Sequence, residues 1–235
     1  MAERLSKRYR EAREKAPETP VPLAEAVEIL KGFPATKFDA TVELVMHLGI
    51  DPRQADQQMR GSISLPHGIG RTRRVIAFCE GDDAEAAKEA GAVEAGGEEL
   101  VQKVQGGWTD FDVAITTPQM MKMVAPLGRV LGPQGLMPSP KAGTLVQDIP
   151  TAVAEFSAGK VEYRNDDGGN LHVPVGKLSF DSEKLVENID YFIKFVRKSR
   201  PTTTKGMYMR RVCICSTMSP SVEIDVVRRV GVTNE

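Results

Sequence analysis

The stretch Thr36-Lys-Phe-Asp-Ala-Thr-Val-Glu-Leu-Val-Met-His-Leu48 decides how this chain is organised. Phe38, Ala40, Val42, Leu44, Met46 and Leu48 form one alternating set. Lys37, Asp39, Thr41, Glu43, Val45 and His47 form the other. Successive side chains of a strand point to opposite faces, so the period predicts one long strand with a single buried face. Such a strand needs partners, and the sequence nearby offers only a short strand at 62–65. The cluster Pro66-His67-Gly68-Ile69-Gly70 follows and reads as a hinge or linker.

Upstream, two helices are predicted. Leu5, Tyr9, Ala12 and Ala16 keep a helical spacing, with Arg4, Lys7, Arg8, Arg10 and Arg13 on the remaining surface and Pro17 and Pro20 as the stop. Leu23, Ala26, Val27 and Leu30 form a second stripe, closed by Gly32 and Pro34. Downstream, residues 74–79 and 111–116 read as strands, and 82–90, 97–104 and 118–124 as helices. That alternation implies a small parallel, Rossmann-like α/β domain. A rigid Gly/Pro-rich loop spans 128–143. Then 160–164 and 171–175 alternate around Asn165-Asp-Asp-Gly-Gly169, a hairpin signal. A helix over 182–198 buries Leu185, Ile189, Phe192 and Val196. Strands over 207–216 and 222–226 finish the pattern, joined by Thr217-Met-Ser-Pro220.

Neither flank holds enough strands for a sheet of its own. The economical fold class is α/β plus α+β in two domains. Residues 1–68 and 160–235 form a discontinuous α+β outer domain with an antiparallel sheet, and an α/β domain, 69–159, is inserted in it. Charge follows the same division. Residues 69–159 carry 8 Lys+Arg and 12 Asp+Glu, a charge of −4, and the rest carry 23 and 20, a charge of +3.

Composition excludes several classes. No apolar run reaches the roughly 18 residues of a membrane span. The basic N-terminus lacks the apolar core of a secretory signal. Cys79, Cys213 and Cys215 are therefore expected to stay reduced in the cytoplasm. A sequence pI near 6.4 argues against a broadly basic nucleic-acid binder.

The strings Lys37-Phe-Asp-Ala-Thr-Val-Glu43, Gly49-Ile-Asp-Pro-Arg53, Leu65-Pro-His-Gly68, Gly128-Arg-Val-Leu-Gly-Pro-Gln-Gly-Leu-Met-Pro-Ser-Pro-Lys141, Gly176-Lys-Leu-Ser-Phe180 and Ser216-Thr-Met-Ser-Pro220 resemble the bacterial ribosomal protein L-one family, proteins of the mobile stalk of the large subunit. The resemblance runs from about residue 5 to residue 226. It implies a two-domain fold whose discontinuous domain binds large-subunit ribosomal RNA. It also implies help in releasing deacylated tRNA from the exit site, repression of the protein's own messenger RNA through a similar RNA shape, and a ribosome-associated, cytoplasmic protein that is a monomer when free. Three residues depart from the family's usual strings: Gln134 stands for Arg, Ser139 for Asn and Ser219 for Gly. Ser219 matters most, because Gly there permits close approach or a positive φ. The segment 227–235 reads as an unaligned tail.

The residues give these expectations a chemistry. Folded RNA is recognised through 2′-hydroxyls, phosphates and splayed bases, which suits hydroxyls and a few cations better than a uniformly basic surface. Thr41 and Glu43 occupy the polar strand face, with Lys37 and Phe38 at its start; this is RNA contact or the wet face of an edge strand. Thr217, Met218 and Ser219 form a turn in which Met218 meets a ribose or base, or folds back underneath. The resemblance implies RNA contact for Lys177 and Ser179; the other reading is that Ser179 or Asp181 simply caps a helix. Arg53 and Arg60 flank a segment that the resemblance places toward RNA and tRNA, or are solvated surface cations. Lys141 of the inserted domain is expected as a secondary RNA contact.

Catalysis finds little support. No glycine-rich phosphate motif follows a strand. Pro133, Pro138 and Pro140 remove N–H donors that a phosphate cradle would use. The three histidines lack metal-ligand spacing, and Cys213 and Cys215 have no second pair and read as part of a buried strand. The expectation is a non-enzymatic protein with no catalytic residue, metal or cofactor. The alternative kept open is a small-molecule-binding α/β protein without catalysis.

Overall fold

A computed structural model describes residues 5–226, the side chains of Asp82 and Lys141 excepted, so the tail 227–235 lies outside the described residues. In chain order the elements are α1 (Lys7–Lys15), α2 (Leu23–Lys31), β1 (Thr41–Leu48), β2 (Arg60–Ile63), β3 (Val75–Phe78), α3 (Asp82–Glu89), β4 (Glu94–Gly96), α4 (Glu98–Gln105), β5 (Val113–Thr116), the short α5 (Met121–Val124) and α6 (Gly128–Leu131), α7 (Ile149–Ser157), β6 (Val161–Arg164), β7 (Asn170–Lys177), α8 (Ser182–Lys198), β8 (Met209–Ser216) and β9 (Val222–Glu223). The chain divides into two compact units. The first is Met1–Met59, Leu65–Gly70 and Tyr163–Glu235; the second is Arg60–Ser64 and Arg71–Glu162. Residues 60–64 thus group with the second unit. Counted this way the charge split narrows, to 21 basic against 19 acidic residues and 10 against 13.

The first unit is built on an antiparallel sheet in the order β7-β1-β8-β9. β1 alternates strictly between half-buried and buried residues. Its buried set, Val42, Leu44, Met46 and Leu48, joins Leu171, Val173 and Val175 of β7 and Val212 and Ile214 of β8. α2 and α8 pack on each other and on the sheet, covering that face with Leu23, Val27, Leu30, Leu185, Ile189, Phe192 and Val196. Each such apolar side chain contributes roughly 1.5–3 kcal/mol by leaving water. The opposite face of β1 stays open.

β1 begins at Thr41, later than the period of the sequence predicts. The ladder reaches upstream only as far as Ala40, whose carbonyl accepts from Leu178 N at 2.8 Å. Phe38 lies beyond it and is 53% exposed, so it is not part of the buried set. β1 is also a central strand, not an edge. The expected hairpin over 160–175 is not a ladder either. β7 pairs with β1, β6 pairs with β2, and only an isolated bridge joins Asn165 to Leu171. The longer buried face of β1 outcompetes the local partner.

The second unit centres on a parallel sheet in the order β4-β3-β5. β3 is buried throughout. Val75 and Ala77 face one cluster, with Ile149, Val153 and Phe156 of α7, and Ile76 and Phe78 face another, with Leu100, Val104, Leu127 and Leu131. α7 was absent from the sequence reading, although its signals are there. Asp148 caps it by accepting from Thr151 N at 3.3 Å, Pro150 sits in its first turn, and Ile149, Ala152, Val153 and Phe156 keep the helical spacing. The Gly/Pro-rich loop is also more regular than expected, since it contains α6 and the short 3-10 turn Pro140–Ala142.

Candidate nucleic-acid interface

One corner of the antiparallel sheet gathers most of the residues singled out above. Thr41, at the start of β1, stands opposite Lys177 on β7, and Lys177 Nζ donates to Thr41 Oγ1 at 2.8 Å. On its other side Thr217 N donates to Thr41 O at 3.0 Å, and Thr41 N donates to Thr217 Oγ1 at 3.2 Å. Just past Lys177, the Ser179 hydroxyl donates to Asp39 Oδ2 at 2.8 Å and its N–H to Asp39 Oδ1 at 3.2 Å. Ser179 is therefore held by Asp39 rather than spent on capping α8. The Lys177 stem is packed where a side chain on Gly70 would collide: a Cβ there would lie 2.7 Å from Phe180 and 3.0 Å from Lys177 Cγ, and the φ of +70° favours glycine.

The turn after β8 completes the corner. Ser219 N donates to Ser216 O at 2.9 Å, closing it. Met218 takes a φ of 67°, the only positive φ outside glycine among the described residues. Such a conformation is uncommon for a residue with a Cβ and persists where neighbours fix it. Arg8 of α1 supplies one anchor, donating from Nη2 to Met218 O at 3.2 Å. The Met218 side chain is 67% exposed and does not fold beneath the turn. The positive φ thus falls one residue before Ser219. Ser219 is half-buried and well placed: its Oγ accepts from Ser216 N at 2.9 Å and donates to Pro220 O at 3.0 Å.

Beyond the corner, the open face of the sheet carries both signs of charge: Arg211, opposite His47, pairs with Glu223 at 2.6 Å. Glu43 lies opposite Cys215, and its Oε1 is 3.5 Å from His172 Nδ1. His47 Nδ1 is 2.8 Å from Asn170 Oδ1. Cys213 and Cys215 are half-buried on this face rather than buried in the core. Burial, then the nearby Glu43 charge, pushes the Cys215 thiol up to about 11, and burial also raises Cys213. Raised in this way, both thiols stay protonated at neutral pH and add no charge to the face. Among the described residues no cluster of His, Cys, Asp or Glu could hold a metal.

Three residues lie apart. Arg53 is exposed in the loop after the far end of β1, where its N–H donates to Asp51 Oδ1 at 3.1 Å. Arg60 opens β2 in the second unit. Lys141 falls in the 3-10 turn of that unit, with its side chain outside the described set. The sequence reading missed Asp39 as the partner of Ser179 and Arg8 as the anchor of Met218. It had assigned both only to a strand face and a helix surface. It also missed Asn188, fully buried on α8, which accepts from His67 N at 3.1 Å and donates to Gly68 O at 3.0 Å and Val175 O at 2.9 Å.

Residues 30–220 match the ribosomal protein L1p/L10e family. The large ribosomal subunit protein uL1 of Rhodopirellula baltica is 59% identical over 219 residues, 93% of this chain and 97% of that protein. The large ribosomal subunit protein uL1 of Kosmotoga olearia is 51% identical over 221 residues, 94% of this chain and 96% of that protein. With its motifs in order from strand β1 to the turn after β8, and with matches spanning nearly its whole length, the chain belongs to the ribosomal protein L1p/L10e family.

Proposed function

We propose that this protein is a non-enzymatic constituent of the large ribosomal subunit that grips large-subunit ribosomal RNA with the corner formed by Lys37, Phe38, Thr41, Lys177, Ser179, Thr217, Met218 and Ser219. The observation that carries the reading is the pairing of exposed apolar groups with fixed polar ones. Phe38 precedes Thr41 by three residues and Met218 follows Thr217 directly, and both side chains stand in solvent. They are two of the five large apolar residues exposed among the described residues, and each lies within three residues of Thr41 or Thr217 in sequence. An aromatic ring beside hydroxyls and two lysines is suited to stack on an unpaired base while the hydroxyls meet sugar 2′-hydroxyls. Glu43 fits the same face as an acceptor for a base amino group. The finer roles follow from this grip: binding at the mobile stalk, assistance to release of deacylated exit-site tRNA with Arg53, Arg60 and Lys141 as outlying contacts, and repression of the protein's own messenger. The protein acts as a monomer when free and needs no cofactor.

A second reading, small-molecule binding, has one observation in its favour. A crevice of about 340 Å³ lined by Asp83, Thr117, Pro118, Gln119 and Gln147 lies beyond the carboxyl ends of β3 and β5, where open α/β sheets accept ligands. Filter binding of the full chain to stalk ribosomal RNA, against a panel of nucleotides, separates the two. The expected result is RNA binding with a shallow salt slope, because few cations reach phosphate, each worth about 0.7–0.9 log units. A slope near −10, or nucleotide binding without RNA binding, sinks the proposal.

A further inference from the structure

We propose that Met218 is a redox-modification site: oxidation of its thioether by a peroxide to the sulfoxide disables RNA binding by the free protein. This rests on the RNA-binding reading of the same corner.

The geometry singles out this sulfur. Of the described methionines, only Met207 and Met218 are largely exposed, at 66% and 67%. Met218 differs in being fixed. Its backbone is held at positive φ by the Ser216–Ser219 turn and by Arg8, which leaves the side chain directed away from the protein. It follows Thr217, whose hydroxyl and N–H are tied to Thr41. An apolar, polarizable thioether at that position suits contact with a base or ribose. A sulfoxide adds a strong acceptor and a stereocentre to the same group, and forces a polar oxygen into a contact that an apolar group had filled.

The reaction balances with a peroxide as the named oxidant. The sulfur lone pair attacks the distal peroxide oxygen and the O–O bond breaks. An S–O bond forms, and the departing hydroxide takes up the proton to leave as water. Sulfur loses the two electrons that the peroxide gains. The two thiols held highest, Cys79 and Cys215, are poor competitors for the oxidant. Burial pushes Cys79 and Cys215 up to about 11 and also raises Cys213. At neutral pH only about one in ten thousand of the two higher thiols is a thiolate, the reactive form. Bound RNA would cover Met218, so modification acts on protein not yet assembled. Methionine sulfoxide is enzymatically reducible, so the change is reversible.

The experiment uses the full chain, hydrogen peroxide and stalk ribosomal RNA, with peptide mass spectrometry locating sulfoxides and filter binding measuring affinity. Oxidised wild type is expected to lose at least tenfold in affinity and to regain it after methionine sulfoxide reductase treatment. Met218→Leu keeps its affinity through peroxide, whereas Met207→Leu loses it as wild type does. Pre-bound RNA protects Met218 but not Met207 from oxidation. Unchanged affinity with Met218 fully oxidised, or equal loss in Met218→Leu, overturns the proposal. If Met218→Leu binds poorly before treatment, the wild-type loss and its reductase rescue decide alone. Failure of untreated wild type to bind RNA overturns the functional reading itself, and is distinguished by coming before any oxidant is added.

Discussion

β1 and β3 show two ways to use a strand. β1 sits in an antiparallel sheet that helices cover on one side, and every second residue faces water. β3 sits in a parallel sheet with apolar clusters on both sides, and every residue is buried. Parallel sheets require crossovers that place helices on their faces, whereas antiparallel ones can leave a face open. The first unit therefore has a surface of ordered, evenly spaced polar groups to offer a partner. The second spends its sheet on its own core and exposes mainly helix surfaces and loops.

The sharpest test of that contrast compares one residue from each strand. Phe78→Ala should cost about 3–5 kcal/mol, the range for a buried aromatic leaving a cavity. Val45→Thr, on the open face of β1, should change stability by less than about 1 kcal/mol. Urea unfolding of the two variants measures both. Similar losses would mean that the open face is covered after all.

The next largest effect is expected at Asn188. Asn188→Ala leaves His67 N and two backbone carbonyls without their partner, at about 1–3 kcal/mol. Urea unfolding also checks this. A neutral result would show that the Leu65–Gly70 segment is not held by α8.

At the corner, stability and binding should separate. Thr217→Val removes the acceptor for Thr41 N and the donor to Thr41 O, the two bonds that fix the proposed RNA-contacting corner. It is expected to weaken RNA binding roughly tenfold, about 1.4 kcal/mol. Ser219→Ala loses a hydroxyl that serves only the turn, so it should lower stability by about 0.5–1.5 kcal/mol. Its RNA affinity should change less than that of Thr217→Val. Titrations at one fixed salt concentration, paired with melting curves, test the order; a reversed order would move the contact from Thr217 to Ser219.

The smallest effect concerns acid. Hydrogen bonds from the Asn170 side chain and N–H hold the Asp166 carboxyl below its ordinary value of 3.8. A group depressed in the folded state adds stability above its unfolded value, and that stability is lost as pH falls through the folded value. Asp166 is largely exposed, so solvent discounts the effect. Melting temperature should fall slightly less for Asp166→Asn than for wild type on going from about pH 5 to about pH 2. Equal slopes would show that the loop contributes nothing.

Much of this was legible in the sequence because periodicity is a local signal. The stripe of α8 and the alternation of β1 from Thr41 onward could be read directly. The helix α7 was equally legible from Asp148, Pro150 and its spaced apolar residues, and was overlooked beside the Gly/Pro loop. Phe38 shows the limit of the method. It continues the alternation of β1 yet stands in solvent, because the hydrogen-bonded ladder, not the apolar pattern, ends the strand. The expected hairpin over 160–175 fails for a related reason: turn chemistry at Asn165–Gly169 permits pairing, but does not compel it when β1 offers β7 a longer partner.

By itself, then, the sequence determined the element types, the one-sided character of β1 and the motifs that mark the family. Each depends on residues within a few turns or one strand length. Only the tertiary structure decided which strands pair and that Lys177, Thr41 and Thr217 meet. It alone set Arg8 against Met218, Asp39 against Ser179, and the positive φ on Met218 rather than on Ser219. Those partners lie between 136 and 210 residues apart. No local pattern encodes such distances; they follow from the register of β7 and β8 on β1, which the shared burial of one sheet face selects.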